Sequence, residues 1–198
     1  VDCALTILSL GQDNLTQENW QKLLTTPFIN DNWLNNISTS LAWEKIKTTT
    51  TSFSYSNTFS FNQLSQILKV FCRELFANIE NYYKTLTTLT SPQITKNWIH
   101  FFNTQLQNFG WPGTRNLTSQ ELQTLEKWQK LCHEFSSLDL IYPNGLSYAA
   151  ALAKLCALTQ NTIFQPSPSK DELAKINILG TLEAAGLNFD YLWVMSMD

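Results

Sequence analysis

Three nucleotide and metal signatures are missing from this 198-residue chain. Its six glycines never fall into Gly-x-x-x-x-Gly-Lys-Ser/Thr or Gly-x-Gly-x-x-Gly, so neither of the usual glycine-rich phosphate cradles is present. The four cysteines, Cys3, Cys72, Cys132 and Cys156, form no Cys-x-x-Cys pair, which argues against a zinc ribbon or a dithiol redox motif. Charge is scarce as well: Asp, Glu, Lys and Arg make up 15% of residues, and 13 cations against 16 anions leave a net charge of -3. That balance disfavours a free-standing duplex-binding module, which needs a basic face. No apolar run approaches the roughly 20 residues that a spanning helix requires, and no signal peptide is visible, so no membrane association is expected.

What is present is a globular composition, 43% hydrophobic and 13% aromatic, long enough to bury a sizeable core. Cys132 and Cys156 sit within helical apolar patterns, where a buried free thiol is the usual state. Reduced thiols fit a cytoplasmic protein. Three Asn-x-Ser/Thr sequons, at Asn14, Asn36 and Asn116, follow from the Asn- and Thr-rich composition. The chain lacks an initiator Met and ends in or just after an apolar run, so it is expected to be an excised piece of a longer protein.

Helical periodicity dominates the order of the chain. An apolar face over Val1 to Leu10 ends at Gly11, a plausible C-cap. Thr16 reads as the N-cap of a second helix carrying Trp20, Leu23 and Leu24 and stopped by Pro27. Asp31 or Asn32 can cap a third, through Trp33, Ile37, Leu41 and Ile46. From Thr48 to Ser60 the aromatics Phe53, Tyr55 and Phe59 alternate, which fits a hairpin arm or an ordered loop. The strongest amphipathic stripe then runs unbroken from Leu64 to Ile79. Ser91-Pro92 reads as an N-cap and first-turn proline for a helix from Trp98 to Phe109 that ends at Gly110. Thr118 with Glu121 is a capping box for a long helix through Phe135, and Ser147 opens another through Leu158. Gln165 to Lys170 is a linker by composition.

Two short apolar runs close the chain, Ile176 to Leu179 and Tyr191 to Met197, around a Gly-containing bend. Their β-branched and aromatic content without in-out alternation predicts two adjacent parallel strands buried on both faces. The fold class expected is therefore mainly α: a helical subdomain over 1–165, a linker over 166–175 and a strand-turn-strand element over 176–198.

The residues Leu182-Glu183-Ala184-Ala185-Gly186-Leu187, followed by Phe189-Asp190 and Leu192-Trp193-Val194-Met195, resemble motif V of superfamily-1 helicases of the UvrD and RecB type. They resemble more particularly the AddB-like probable DNA repair proteins, or inactivated superfamily-1 helicases. The resemblance extends to Gly110-Trp111-Pro112-Gly113-Thr114-Arg115, to the Glu121 to Trp128 helix, to Phe164-Gln165-Pro166 and, more loosely, to Leu23 to Ile29. It implies a helical insertion of the 2B kind leading into a RecA-like sheet, in a parent that acts in DNA repair and recombination beside a helicase-nuclease partner subunit. Three positions depart from the active pattern: Ala185 stands where those helicases have lysine, Leu182 where they have histidine, and Gly180 where they have threonine or serine. Losing a cation and a hydroxyl removes phosphate-contacting capacity.

The expectation is a non-catalytic, architectural piece, with no cofactor, that holds DNA or a partner subunit. A nuclease motif of the parent would lie beyond Asp198. The alternative is a helical protein-interaction module without DNA contact, which the acidic balance favours. Candidate DNA contacts are Trp111 and Arg115, since an exposed Trp beside an Arg can stack a base and hold a phosphate. The other reading of that stretch has Trp111 filling the space between helices, Gly113 supplying a turn and Arg115 capping a helix end. Gly186, Asn188 and Asp190 are candidates as the remnant of a DNA- or nucleotide-linked loop, or form a polar bend between strands. His100 and His133 stand singly on helices without a second ligand at matching spacing, and Glu134 and Asp139 are equally plain.

Overall fold

Short polar residues begin the helices where sequence chemistry places them. In the computed structural model, Thr16 Oγ1 accepts the Asn19 amide at 3.2 Å and opens α2 (Gln17–Thr25), which follows α1 (Asp2–Ser9). Ser60 and Gln63 form a capping box on α4 (Phe61–Phe71), after α3 (Asn36–Thr50). Thr118 and Glu121 do the same for α7 (Ser119–Ser136), and Ser147 Oγ caps α8 (Tyr148–Asn161). Each such cap satisfies amide donors that a helix start leaves without a partner. The remaining helices are α5 (Arg73–Thr88), α6 (Thr95–Asn108) and the short α9 (Thr181–Ala184). The structure describes residues 1–12, 14–29, 36–50, 58–89, 92–164 and 178–195. The expected caps Asp31, Asn32 and Ser91, the alternation at Phe53 and Tyr55, and the linker from Gln165 lie outside them.

The chain divides into two units, Val1–Pro166 and Ser167–Asp198. In the first, one hydrophobic core runs from Ala4 to Leu155. At its centre Trp98 stacks on Phe102, with ring centroids 5.9 Å apart, and meets Phe101 and Tyr148 edge to face. Such aromatic pairs add to the stabilisation that burial alone supplies. Two long-range polar contacts fix the elements around it. The Tyr82 and Tyr148 hydroxyls lie 2.5 Å apart and both donate to the Leu8 carbonyl, which ties α5 and α8 to α1. Trp98 Nε1 donates to the Leu146 carbonyl at 2.8 Å, beside an antiparallel bridge between Gln93 and Leu146.

Three sequence expectations are corrected. The first concerns the sheet. Its strands are β1 (Leu15–Thr16) and β2 (Thr58–Phe59), paired antiparallel with Leu15 opposite Phe59, and Trp20 Nε1 donates to the Phe59 carbonyl at 3.2 Å. The expected parallel pair is not formed: residues 178–195 hold α9, a left-handed Gly186 (φ 80°) and no strand. Ile176, Asn177 and Ser196 to Asp198 lie outside the described residues. A parallel strand is held by ladders and burial that its neighbours supply. Tyr191 and Trp193 are instead 95% and 87% exposed.

The second correction is a break at Cys72 (φ -137°, ψ 58°), which divides the Leu64 to Ile79 stripe into α4 and α5. Its amide still donates to Leu68 and its carbonyl still accepts from Phe76. Because both bonds survive, the apolar periodicity passes through the break undisturbed. The third is the start of α6. That helix begins at Thr95, and its cap comes from Asp139, whose Oδ1 accepts both the Thr95 amide and, at 2.7 Å, the Thr95 hydroxyl.

Candidate functional site

Two turns that are distant in sequence meet on one side of the helical unit. Pro27 cannot continue α2, and Thr26 Oγ1 accepts the Phe28 amide at 3.2 Å, so the chain leaves the helix in a fixed direction. The second turn follows α6. Gly110 is left-handed (φ 69°), the Trp111 amide returns to the Leu106 carbonyl at 2.9 Å, and the Gly113 amide donates to the Gly110 carbonyl at 2.7 Å. The Trp111-Pro112 peptide is cis. Gly113 has φ 98°, and a Cβ on it would stand 2.8 Å from the Pro27 carbonyl oxygen. Only glycine permits both the conformation and that approach.

Arg115 fastens the two turns together. Its guanidinium carbon lies 4.7 Å from the centroid of the Phe28 ring, and its Nη2 pairs with the Glu121 carboxylate. The other oxygen of Glu121 accepts the Thr118 amide at 2.8 Å and the Thr118 hydroxyl at 3.0 Å. One carboxylate thereby closes a capping box and an ion pair together. The Arg115 hydrogen bond first, and then the Thr118 amide, hold the Glu121 carboxyl down from 4.5 to about 2. Trp111 is half-buried and meets Trp128 edge to face, with centroids 5.8 Å apart.

Between these turns and the start of α1 lies a cleft of about 450 Å3. Leu23, Phe28, Trp111, Pro112, Leu117 and Leu125 give it apolar walls. Its rim carries Asp2 and Lys22, which form an ion pair at 3.2 Å; Lys22 also pairs with Glu18 at 3.0 Å, and the two carboxylates raise its pKa. Cys3 faces the same space. Burial pushes its thiol pKa up, so it is not an activated nucleophile.

Of the residues singled out from sequence, Trp111 lines this cleft, and Arg115 stands beside it, committed to Phe28 and Glu121. Gly186, Asn188 and Asp190 belong to the Ser167–Asp198 unit and are exposed. Sequence reasoning missed Phe28 as the partner of Arg115, and the Asp2, Lys22 and Glu18 cluster. The Pro27 stop was the one local signal for that wall; nothing in the sequence couples Asp2 to Lys22. Among the described residues no three His, Cys, Asp or Glu side chains are grouped to hold a metal ion. His100 and His133 are both exposed. Among the same residues, no helix is long and apolar enough to cross a membrane.

Compared with known proteins, the chain matches no family model, no curated protein and no solved structure.

Proposed function

We propose that this chain is a non-catalytic, architectural part of a DNA repair or recombination protein of the inactivated superfamily-1 helicase kind, and that it holds DNA or a partner subunit. The observation that carries the reading is a convergence. Leu23 to Ile29 and Gly110 to Arg115, two of the stretches through which the sequence resembles the AddB-like proteins, pack on each other through Gly113, Pro27, Arg115 and Phe28. Residues that meet in the fold are constrained together, which supports reading the two stretches as one structural motif. The Leu182 to Met195 phrase supports the same family, with Gly186, Asn188 and Asp190 as the remnant of its DNA-linked loop.

A second reading, a helical protein-interaction module without DNA contact, draws on the net charge of -3 and on the exposed Tyr191, Leu192 and Trp193. Contiguous exposed apolar side chains mark interaction surfaces. Fluorescence anisotropy of a labelled single strand and a forked duplex, titrated with the chain over about 50 to 200 mM salt, separates the two. Binding that falls steeply with salt, and that drops when Arg115 is changed to Gln in a variant that keeps the wild-type circular dichroism, supports the DNA-holding role. No binding at the lowest salt leaves the interaction module as the function.

A further inference from the structure

The charged side chains around the cleft between α1, α2 and the Trp111 to Leu125 stretch are engaged with one another. Asp2 is paired with Lys22, which is also paired with Glu18, and Glu121 is divided between Arg115 and Thr118. Three hydroxyls also spend their protons on their own helices. Thr6 donates to the Asp2 carbonyl, Thr25 to that of Gln21 and Thr124 to that of Gln120, each at 2.7 to 2.9 Å. Thr26 Oγ1 accepts from the Phe28 amide.

A ligand that brought a charge here would give up hydration and meet charges already engaged with one another. An apolar ligand has no charge hydration to give up. The cleft, at about 450 Å3, falls within the roughly 300–1,000 Å3 typical of small-molecule sites, and two aromatic rings, Phe28 and Trp111, line it.

We infer that this cleft is a binding site for a small, uncharged, apolar ring compound, selected by its apolar and aromatic walls over charged compounds of the same shape, because the charges at its rim are already paired with one another. The inference stands apart from the DNA-holding role, and its test involves no nucleic acid.

The test uses three molecules of one shape: toluene, benzoate and benzylammonium. Each is titrated into the 15N-labelled chain and followed by amide NMR. Toluene is expected to shift the amides of Leu23 to Phe28 and Trp111 to Leu125 saturably, with the two ions about tenfold or more weaker at the same residues. Leu125→Trp, which fills the cleft from a half-buried position, is expected to abolish the toluene shifts, and Leu117→Phe to weaken them. Circular dichroism spectra matching wild type would show that both variants fold, and either one suffices. The inference is overturned if no saturable toluene shift appears at these amides, if either ion binds as well as toluene, or if both filled variants bind toluene as the wild type does.

Discussion

Arg115 and Glu121 show how far one side chain's role depends on partners that sequence does not place beside it. Glu121 is legible as a capping residue, because the amide it serves lies three positions earlier. Its second role, holding the Arg115 guanidinium over Phe28, is visible only in three dimensions. The consequence is a pH signature. With the carboxyl at about 2 in the fold against an ordinary 4.5, the ionised form is the one the folded state favours. Its stabilisation is complete above the unfolded pKa and is lost as pH falls through about 2. Glu121→Gln is therefore expected to unfold at a lower urea concentration than wild type at pH 7, with the two midpoints converging toward pH 2. A gap undiminished at that pH would show that the loss has another source.

At the scale of elements, the caps separate into those sequence can show and those it cannot. Thr16, Ser60, Thr118 and Ser147 lie within three residues of the amides they serve, and each reads directly from the chain. Asp139 serves α6 from 44 residues away, so no local pattern announces it. Thr95, whose amide and hydroxyl it receives, is fully buried. Asp139→Ala is expected to cost about 1–2 kcal/mol in urea unfolding, as loss of an N-cap does, and to speed hydrogen exchange in the first turn of α6. Unchanged exchange at Lys96 to Trp98 would mean the cap is not needed to hold that turn. The break at Cys72 was hidden for the opposite reason: both its backbone hydrogen bonds persist, so the hydrophobic stripe carries no trace of it.

For the whole molecule, the distribution of the core makes a plain prediction. Among the described residues, every buried member of the hydrophobic cluster lies between Ala4 and Leu155, within the Val1–Pro166 unit. A chain ending at Phe164 is expected to keep its helical circular dichroism and a single cooperative urea transition with an unchanged midpoint. It is also expected to bind less of a dye that reports exposed apolar surface, since Tyr191, Leu192 and Trp193 are removed. A lower midpoint would show that residues after 164 contribute to the stability of the helical unit.

The sequence by itself determined α1, α2, α7 and α8, because such a helix is specified by residues three and four apart and by signals next to its ends, all local quantities. It also marked Trp20, Trp98, Phe102, Phe109, Trp128 and Phe135 on apolar stripes, and all six are buried, but it did not single out Tyr82 or Phe101. The tertiary structure alone decided the strands, the cap of α6 and the cleft. Two-residue strands such as β1 and β2 carry too few residues for a period-two signal and exist through Leu15, Phe59 and the Trp20 bond. The Tyr191 to Met195 run has the composition of a buried strand, yet it forms no ladder, because strand formation is settled by a neighbour and not by composition. Likewise Gly113, Pro27, Arg115 and Phe28 acquire a joint meaning only when the chain folds them against one another.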